Sequence, residues 1–173
     1  YGNGETYQEA VTIAVTNINE APTDISLSAT SVAENVPVGT LVGLISTADA
    51  DFGEAHTYTL VTGAGDTDNN LFTIVGNQLR VVSALNYEAQ NSCSIRLQTD
   101  DGNGGTFQKV FTISVIDVNE APTNISILFM GITEEMPIGS VVGTLSASDQ
   151  DPADTHTYSL VAGSGDTDNG SFT

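Results

Sequence analysis

A constant offset of 100 residues superposes positions 1–73 on positions 101–173 without a gap, and 36 of those 73 positions carry the same residue. No other feature limits the possible folds as much, because a chain this self-similar must build one unit and then build it again. "GNGET" meets "GNGGT", "NEAPT" at 19–23 meets "NEAPT" at 119–123, "HTYTLV" meets "HTYSLV", and "GAGDTDN" meets "GSGDTDN". The period predicts three parts: the C-terminal end of a preceding repeat over 1–20, a complete repeat over 21–120, and the N-terminal half of the next over 121–173. A period of 100 residues suits an ordinary domain with a core of its own. The chain reads as a window onto a longer tandem array.

Inside the complete repeat, apolar residues alternate with polar ones and helical spacing is nearly absent, which predicts strands. Seven are expected: 24–29, 40–47, 56–61, 71–75, 78–84, 92–99 and 107–116. "VPVG", "GAGDTDNN", "GN" and "DGNGG" between them supply turn residues. Seven short strands in this length predict an all-β fold, a tandem array of immunoglobulin-like Greek-key β-sandwiches. In "SCSIRL" the lone Cys93 alternates with Ile95 and Leu97, so it is expected in the core as a small hydrophobe. Pro122 removes an amide donor and keeps the linker "DVNEAPT" short and extended.

Charge narrows the function. Three Lys or Arg stand against 22 Asp or Glu, a net charge of −19, and all three cations (Arg80, Arg96, Lys109) lie in one stretch of the complete repeat. Nucleic acid and anionic membrane surfaces both attract a basic face, so neither is an expected partner. Catalysis is not expected either: Cys93 has no histidine on its strand, and paired acids at domain ends offer no cleft for glycoside chemistry. "GDTDNN" opens like a calcium-binding EF-hand loop but has Asn77 at the twelfth position and no flanking helices, so it is expected to be a turn. His56 and His156 are expected at strand entries.

The acids collect at strand ends. With strands alternating in direction, Glu34, Glu88 and Asp117 fall at one pole of the sandwich, and Asp49, Asp51 and Asp101 at the other. Stacking brings Asp149 and Asp151 of the next repeat against Glu34, Glu88 and the linker residues Asp117, Asn119 and Glu120, forming a second junction. A first junction would use Asn19, Glu20, Asp49, Asp51 and Asp101, and is expected to bind more weakly here because Asn17 stands where the second linker has Asp117 and the preceding repeat's acids lie outside this sequence. Two like charges ~5 Å apart repel by roughly 3 kcal/mol at an effective dielectric near 20, so such a junction needs a cation. Oxygen-only donors select a hard one, and calcium suits irregular carboxylate clusters better than magnesium.

"AENVP", "ADAD", "LNYE", "TDDGNGG" and "VIDVNEAP" together resemble the motifs of the cadherin repeat, most closely the cadherin-like repeats of large bacterial surface proteins. The resemblance implies calcium between successive domains. Glu34 and Glu88 are similar to two glutamate ligands of that family, Asp49 and Asp51 to its Asp-x-Asp pair, and Asp101 to its late aspartate. Asp117, Asn119 and Glu120 are similar to its linker ligands. Asn86 and Glu120 each stand where the family has aspartate. The implied function is a calcium-rigidified segment of an extracellular, secreted or surface-anchored adhesion or stalk protein. The implied partners are calcium, neighbouring repeats, and a homophilic, host-protein, matrix or glycan target. The alternative is a module that itself binds glycan or protein, against which stands the scarcity of aromatics: no Trp and five Tyr.

Overall fold

The computed structural model describes residues 3–173. Its strands are β1 (Asp24–Leu27), β2 (Ser31–Ala33), β3 (Leu41–Ala48), β4 (Thr57–Leu60), β5 (Phe72–Val75), β6 (Gln78–Val81), β7 (Ser92–Asp100), β8 (Thr106–Ile116), β9 (Asn124–Phe129) and β10 (Gly143–Ser148). One sheet has the order β1-β3-β6-β5 and the other β2-β8-β7-β4. The two face each other as an immunoglobulin-like sandwich.

One strand escaped the sequence reading. Residues 31–33 pair in parallel with β8 in the register Ser31 to Ser114 and Ala33 to Ile116, whereas β1 pairs antiparallel with β3 in the opposite sheet. The chain thus crosses between sheets over residues 28–30 instead of continuing as one strand to Ala29. Three residues are too few to show a period, so "SVA" carried no signal of its own.

The alternation does what its spacing requires. Cys93, Ile95, Leu97 and Thr99 of β7 all turn inward and are buried. They meet Ile25, Val42, Ile45, Leu79, Val81, Ile113 and Val115 across the sandwich. Burying one such side chain contributes about 1.5–3 kcal/mol. Thr99 is fully buried, and its hydroxyl is 2.8 Å from the Thr47 hydroxyl, which satisfies it. The "GDTDN" stretch is a turn held by its own side chains: the Asp66 carboxylate accepts from the Gly63 amide at 3.0 Å and Asp68 from the Ser94 amide at 2.7 Å.

This topology sorts the loops into two poles. Strands β2 and β8 run in parallel and end together, so Glu34 and Asp117 emerge side by side, joined by the β6–β7 loop that carries Glu88. At the other pole β3 ends at Asp49 and Asp51, and the β7–β8 turn carries Asp101. Gly105 closes that turn: a Cβ there would lie 2.7 Å from the Ala21 Cα, so only glycine lets the first linker lie against the pole.

Beyond the second linker, β9 pairs antiparallel with β10 from Asn124–Ser148 to Phe129–Gly143, matching the β1–β3 pairing. Residues 3–23 form no strand. Their counterpart β8 is a strand because β7 and β2 flank it, and residues 3–16 have no such neighbours among the described residues.

Candidate metal centres at the two junctions

Glu34 is the anchor of the second junction. It is only 2% exposed, and its two oxygens accept backbone donors, the Tyr87 amide to Oε2 at 2.8 Å and the Val118 amide to Oε1 at 2.9 Å. Asn35 just after it takes the left-handed conformation, φ 56°, which turns the chain sharply behind the carboxylate. The Asn35 side-chain amide bonds Glu120, fixing the linker over the pole.

Around this anchor the acids crowd. Glu34, Glu88 and Glu120 each place an oxygen within 4.8 Å of the others, and so do Glu88, Asp117 and Asp151. Glu88 belongs to both groups, so together they hold five carboxylates. Asp151 comes from the next repeat and is buried at 8% exposure; its Oδ2 accepts the Glu120 amide at 2.7 Å. Partial desolvation at the crowded pole, with Asp151, Glu88 and Glu34 beside it, pushes the Asp117 carboxyl above its ordinary value. Burial, with Glu34 foremost among its neighbours, does the same to Glu120 despite the opposing Asn35 bond.

The first junction has a different electrostatic character. Asp51 is 7% exposed, and its carboxylate takes the Asn17 side-chain amide on Oδ1 and the Glu20 backbone amide on Oδ2 at 2.7 Å. Asp101, 4% exposed, accepts from the Asn19 side chain at 3.0 Å and from the Asn103 amide at 2.7 Å. These bonds, the Asn17 and Asn19 amides first among them, hold both carboxyls below the usual range. Glu20 enters through its backbone. Asp49 is engaged by His56, whose Nε2 is 2.8 Å from Oδ2, and that bond lowers its carboxyl.

Among the acids read from sequence, Glu20, Asp51 and Asp149 lie outside the close carboxylate groups, and Asn19 and Asn119 take part as amides. The Asn119 amide donates to the Glu120 carbonyl at 2.8 Å, and Asp149 is held 2.7 Å from His156 Nε2. The structure also adds residues. Glu54 joins Asp49 and Asp101 in a third group, its carboxyl raised by burial and by the nearby Asp51, Asp49 and Asp101. Asn17, Asn35 and the two histidines act as donors to the acids. Position in the repeat could have exposed the histidines, since His56 and His156 each stand seven residues after the first Asp of "DAD" and "DQD".

The donor set fits a hard cation. It is all oxygen, and the Glu120 Oε2 and Glu54 Oε2 are buried with no hydrogen-bond partner among the described residues. No Lys or Arg reaches the acids of either junction among the described residues. Lys109 is 2.7 Å from Asp24, Arg80 bonds Gln78 and Gly39, and Arg96 bonds Gln108 and Ala64.

The fold and these acidic poles define a class: tandem β-sandwiches joined end to end through carboxylates. No protein-family model matches the chain. It is 29% identical to human Cadherin-12 over 161 residues, covering 82% of this chain and 20% of that protein. It is 30% identical to human Protocadherin Fat 4 over 158 residues, covering 87% of this chain and 3% of that protein. The solved structure of human Protocadherin-24 EC1-2 superposes with a TM-score of 0.63 at 23% identity, covering 77% of this chain and 61% of that one. The repeat unit of this chain is a cadherin repeat. The segment therefore belongs to an extracellular or cell-surface class of protein. The chain spans a fifth of Cadherin-12 and a far smaller share of Protocadherin Fat 4.

Proposed function

We propose that the chain is a calcium-stiffened piece of an extracellular adhesion or stalk protein, in which calcium joins the complete repeat over 21–120 to the repeat that starts at 121. The observation that carries the reading is the second junction. Five carboxylates from two repeats and their linker converge there with no Lys or Arg among them in the described residues. Without a cation the like charges drive the pole, the linker and Asp151 apart. Calcium accepts roughly six to eight oxygens in irregular geometry, including bidentate carboxylates, so this cluster suits it better than magnesium.

Glu34, Glu88, Asp117, Glu120 and Asp151 would hold the ion, with Asn119 and Asp149 at the margin. Glu34 and Asp151 are already oriented by backbone amides, so binding would reorganise little more than the linker. At the first junction Asn19, Glu20, Asp49, Asp51 and Asp101 offer less free charge. The proposed partners in the whole protein are neighbouring repeats and a homophilic or matrix target.

Isothermal titration of the chain with calcium tests the reading, with Asp151→Asn and Glu88→Gln as controls. The expected result is saturable binding that both variants weaken by at least about tenfold, a loss of about 1.4 kcal/mol. Binding untouched by either variant, or no heat at all, contradicts it.

A further inference from the structure

We propose that Asn124 is an acceptor for an N-linked oligosaccharide, placed on the outer edge of the sandwich beside the second joint. The inference needs the extracellular class of the chain and does not depend on calcium. Asn-x-Ser/Thr, with x other than proline, is the acceptor signal for such a glycan. The chain holds it twice, at Asn124-Ile125-Ser126 and at Asn169-Gly170-Ser171. Neither belongs to the repeat as such, because 100 residues earlier stand Asp24-Ile25-Ser26 and Asn69-Asn70-Leu71.

The complete repeat shows what surrounds each place once all the strands are present. Asp24 opens β1, the edge strand of its sheet, and its side chain stays 47% exposed even with Lys109 bonded to it. Ile25 turns into the core while Ser26 faces solvent. Asn124 and Ser126 repeat this arrangement in β9, with Asn124 paired to Ser148 as Asp24 is to Ala48. Both halves of the signal therefore face outward, and a glycan there displaces nothing from the core. Residues 169–171 differ. The Asn169 amide donates to the Val161 carbonyl at 2.9 Å, as Asn69 donates to Val61 at 3.0 Å, and Asn69 also accepts the Arg96 backbone amide of β7 at 2.9 Å. An oligosaccharide on that nitrogen would break the turn, so Asn169 is not an acceptor.

In the transfer, Asn124 Nδ2 bonds to the anomeric carbon of an oligosaccharide carried on a lipid diphosphate. The carbon–oxygen bond to the diphosphate breaks, the lipid diphosphate leaves, and one amide proton passes to a base of the transferring enzyme. A bulky hydrophilic chain at this position also covers the free edge of β9, which is otherwise open to strand pairing.

Translation of the whole chain behind a secretory signal, in the presence of microsomes, tests this and reads modification whether or not the product is exported. The expected result is one step in gel mobility that peptide N-glycosidase reverses. Asn124→Gln and Ser126→Ala should each remove the step, and Asn169→Gln should keep it. Asp24→Asn writes the same signal at the matching edge of the complete repeat and should add a second step. No step in the unaltered chain, a step that survives Ser126→Ala, or a step that Asn169→Gln removes overturns the proposal. Failure of Asp24→Asn to add one would contradict the edge position as the deciding feature.

Discussion

The two linkers are the most informative pair of regions in the molecule. Each carries Asn-Glu-Ala-Pro-Thr, each presses its glutamate amide onto the second Asp of an Asp-x-Asp pair, and each lies at the head of a β-sandwich. Yet Asp51 and Asp101 at the first are held down by amide donors, whereas Asp117 and Glu120 at the second are pushed up by desolvation and by the Glu34, Glu88 and Asp151 carboxylates. Backbone geometry is thus conserved between the joints while the electrostatics invert. The lesson is that a docking geometry and the charge around it are encoded separately, the first by the proline-bounded linker and the second by the side chains gathered there.

The largest expected effect comes from Glu34→Ala. It removes the acceptor of the Tyr87 and Val118 amides inside a buried site and should destabilise the complete repeat by about 3 kcal/mol in denaturant unfolding, as well as abolishing calcium binding. Asp151→Ala sharpens the contrast. It lies across the joint, so it should weaken calcium binding while leaving unfolding of the complete repeat unchanged. If both variants destabilise that repeat equally, the joint is not separable from the fold.

Calcium itself comes next. At 100 times its dissociation constant it should stabilise the docked second joint by about 2.7 kcal/mol, through binding the docked state alone. Small-angle scattering should show a longer, narrower distribution of dimensions in calcium than in chelator, with the strands intact in both. Global unfolding in chelator would mean that the ion holds the fold and not the joint.

In chelator the joints should respond to pH with opposite signs. Docking raises the Asp117 and Glu120 carboxyls, so protonation favours the docked second joint, and that stability is lost as pH rises through the raised values. Docking lowers Asp51 and Asp101, so the stability of the first joint is present above the ordinary carboxylate range and is lost as pH falls through the lowered values. Carbon-detected titration of the four carboxyls should place Asp117 and Glu120 above and Asp51 and Asp101 below their free-peptide positions. Parallel titrations would erase the comparison.

The smallest effect belongs to Gln150→Ala. Its amide reaches Glu88 Oε2 at 3.1 Å in an exposed setting, and its loss should change joint stability by about 0.5 kcal/mol or less. A larger change in the chelated joint would show that amide donors matter at the second junction too.

Much of this architecture was legible in the sequence because it is written with periods. The 100-residue repeat and the two-residue alternation lead to a sandwich, and "SCSIRL" predicts the inward Cys93. What lacked a period was lost: the three-residue β2, and the sheet change that places Glu34 beside Asp117. Chain parity could group acids by pole but could not see neighbours from other loops. Glu54 escaped for that reason, since it sits in a turn and meets Asp49 and Asp101 only in space. Asn17 and Asn35 carry no charge, so nothing in the sequence sets them apart as partners of Asp51 and Glu120, to which they donate only once the chain has folded.

Tyrosine-sensitised terbium luminescence tests the central claim most directly, terbium standing in for calcium at oxygen sites. Tyr87 precedes Glu88 and its amide holds Glu34, so an ion at the second junction should emit on tyrosine excitation. Tyr58 stands near the first junction, its hydroxyl 3.1 Å from Thr47, which makes Tyr87→Phe the assigning control. The account predicts saturable emission that calcium displaces, that Tyr87→Phe and Asp151→Asn suppress, and that Asp51→Asn leaves intact. Absent emission, or emission that follows Asp51 and ignores Asp151, would contradict a metal-held second joint.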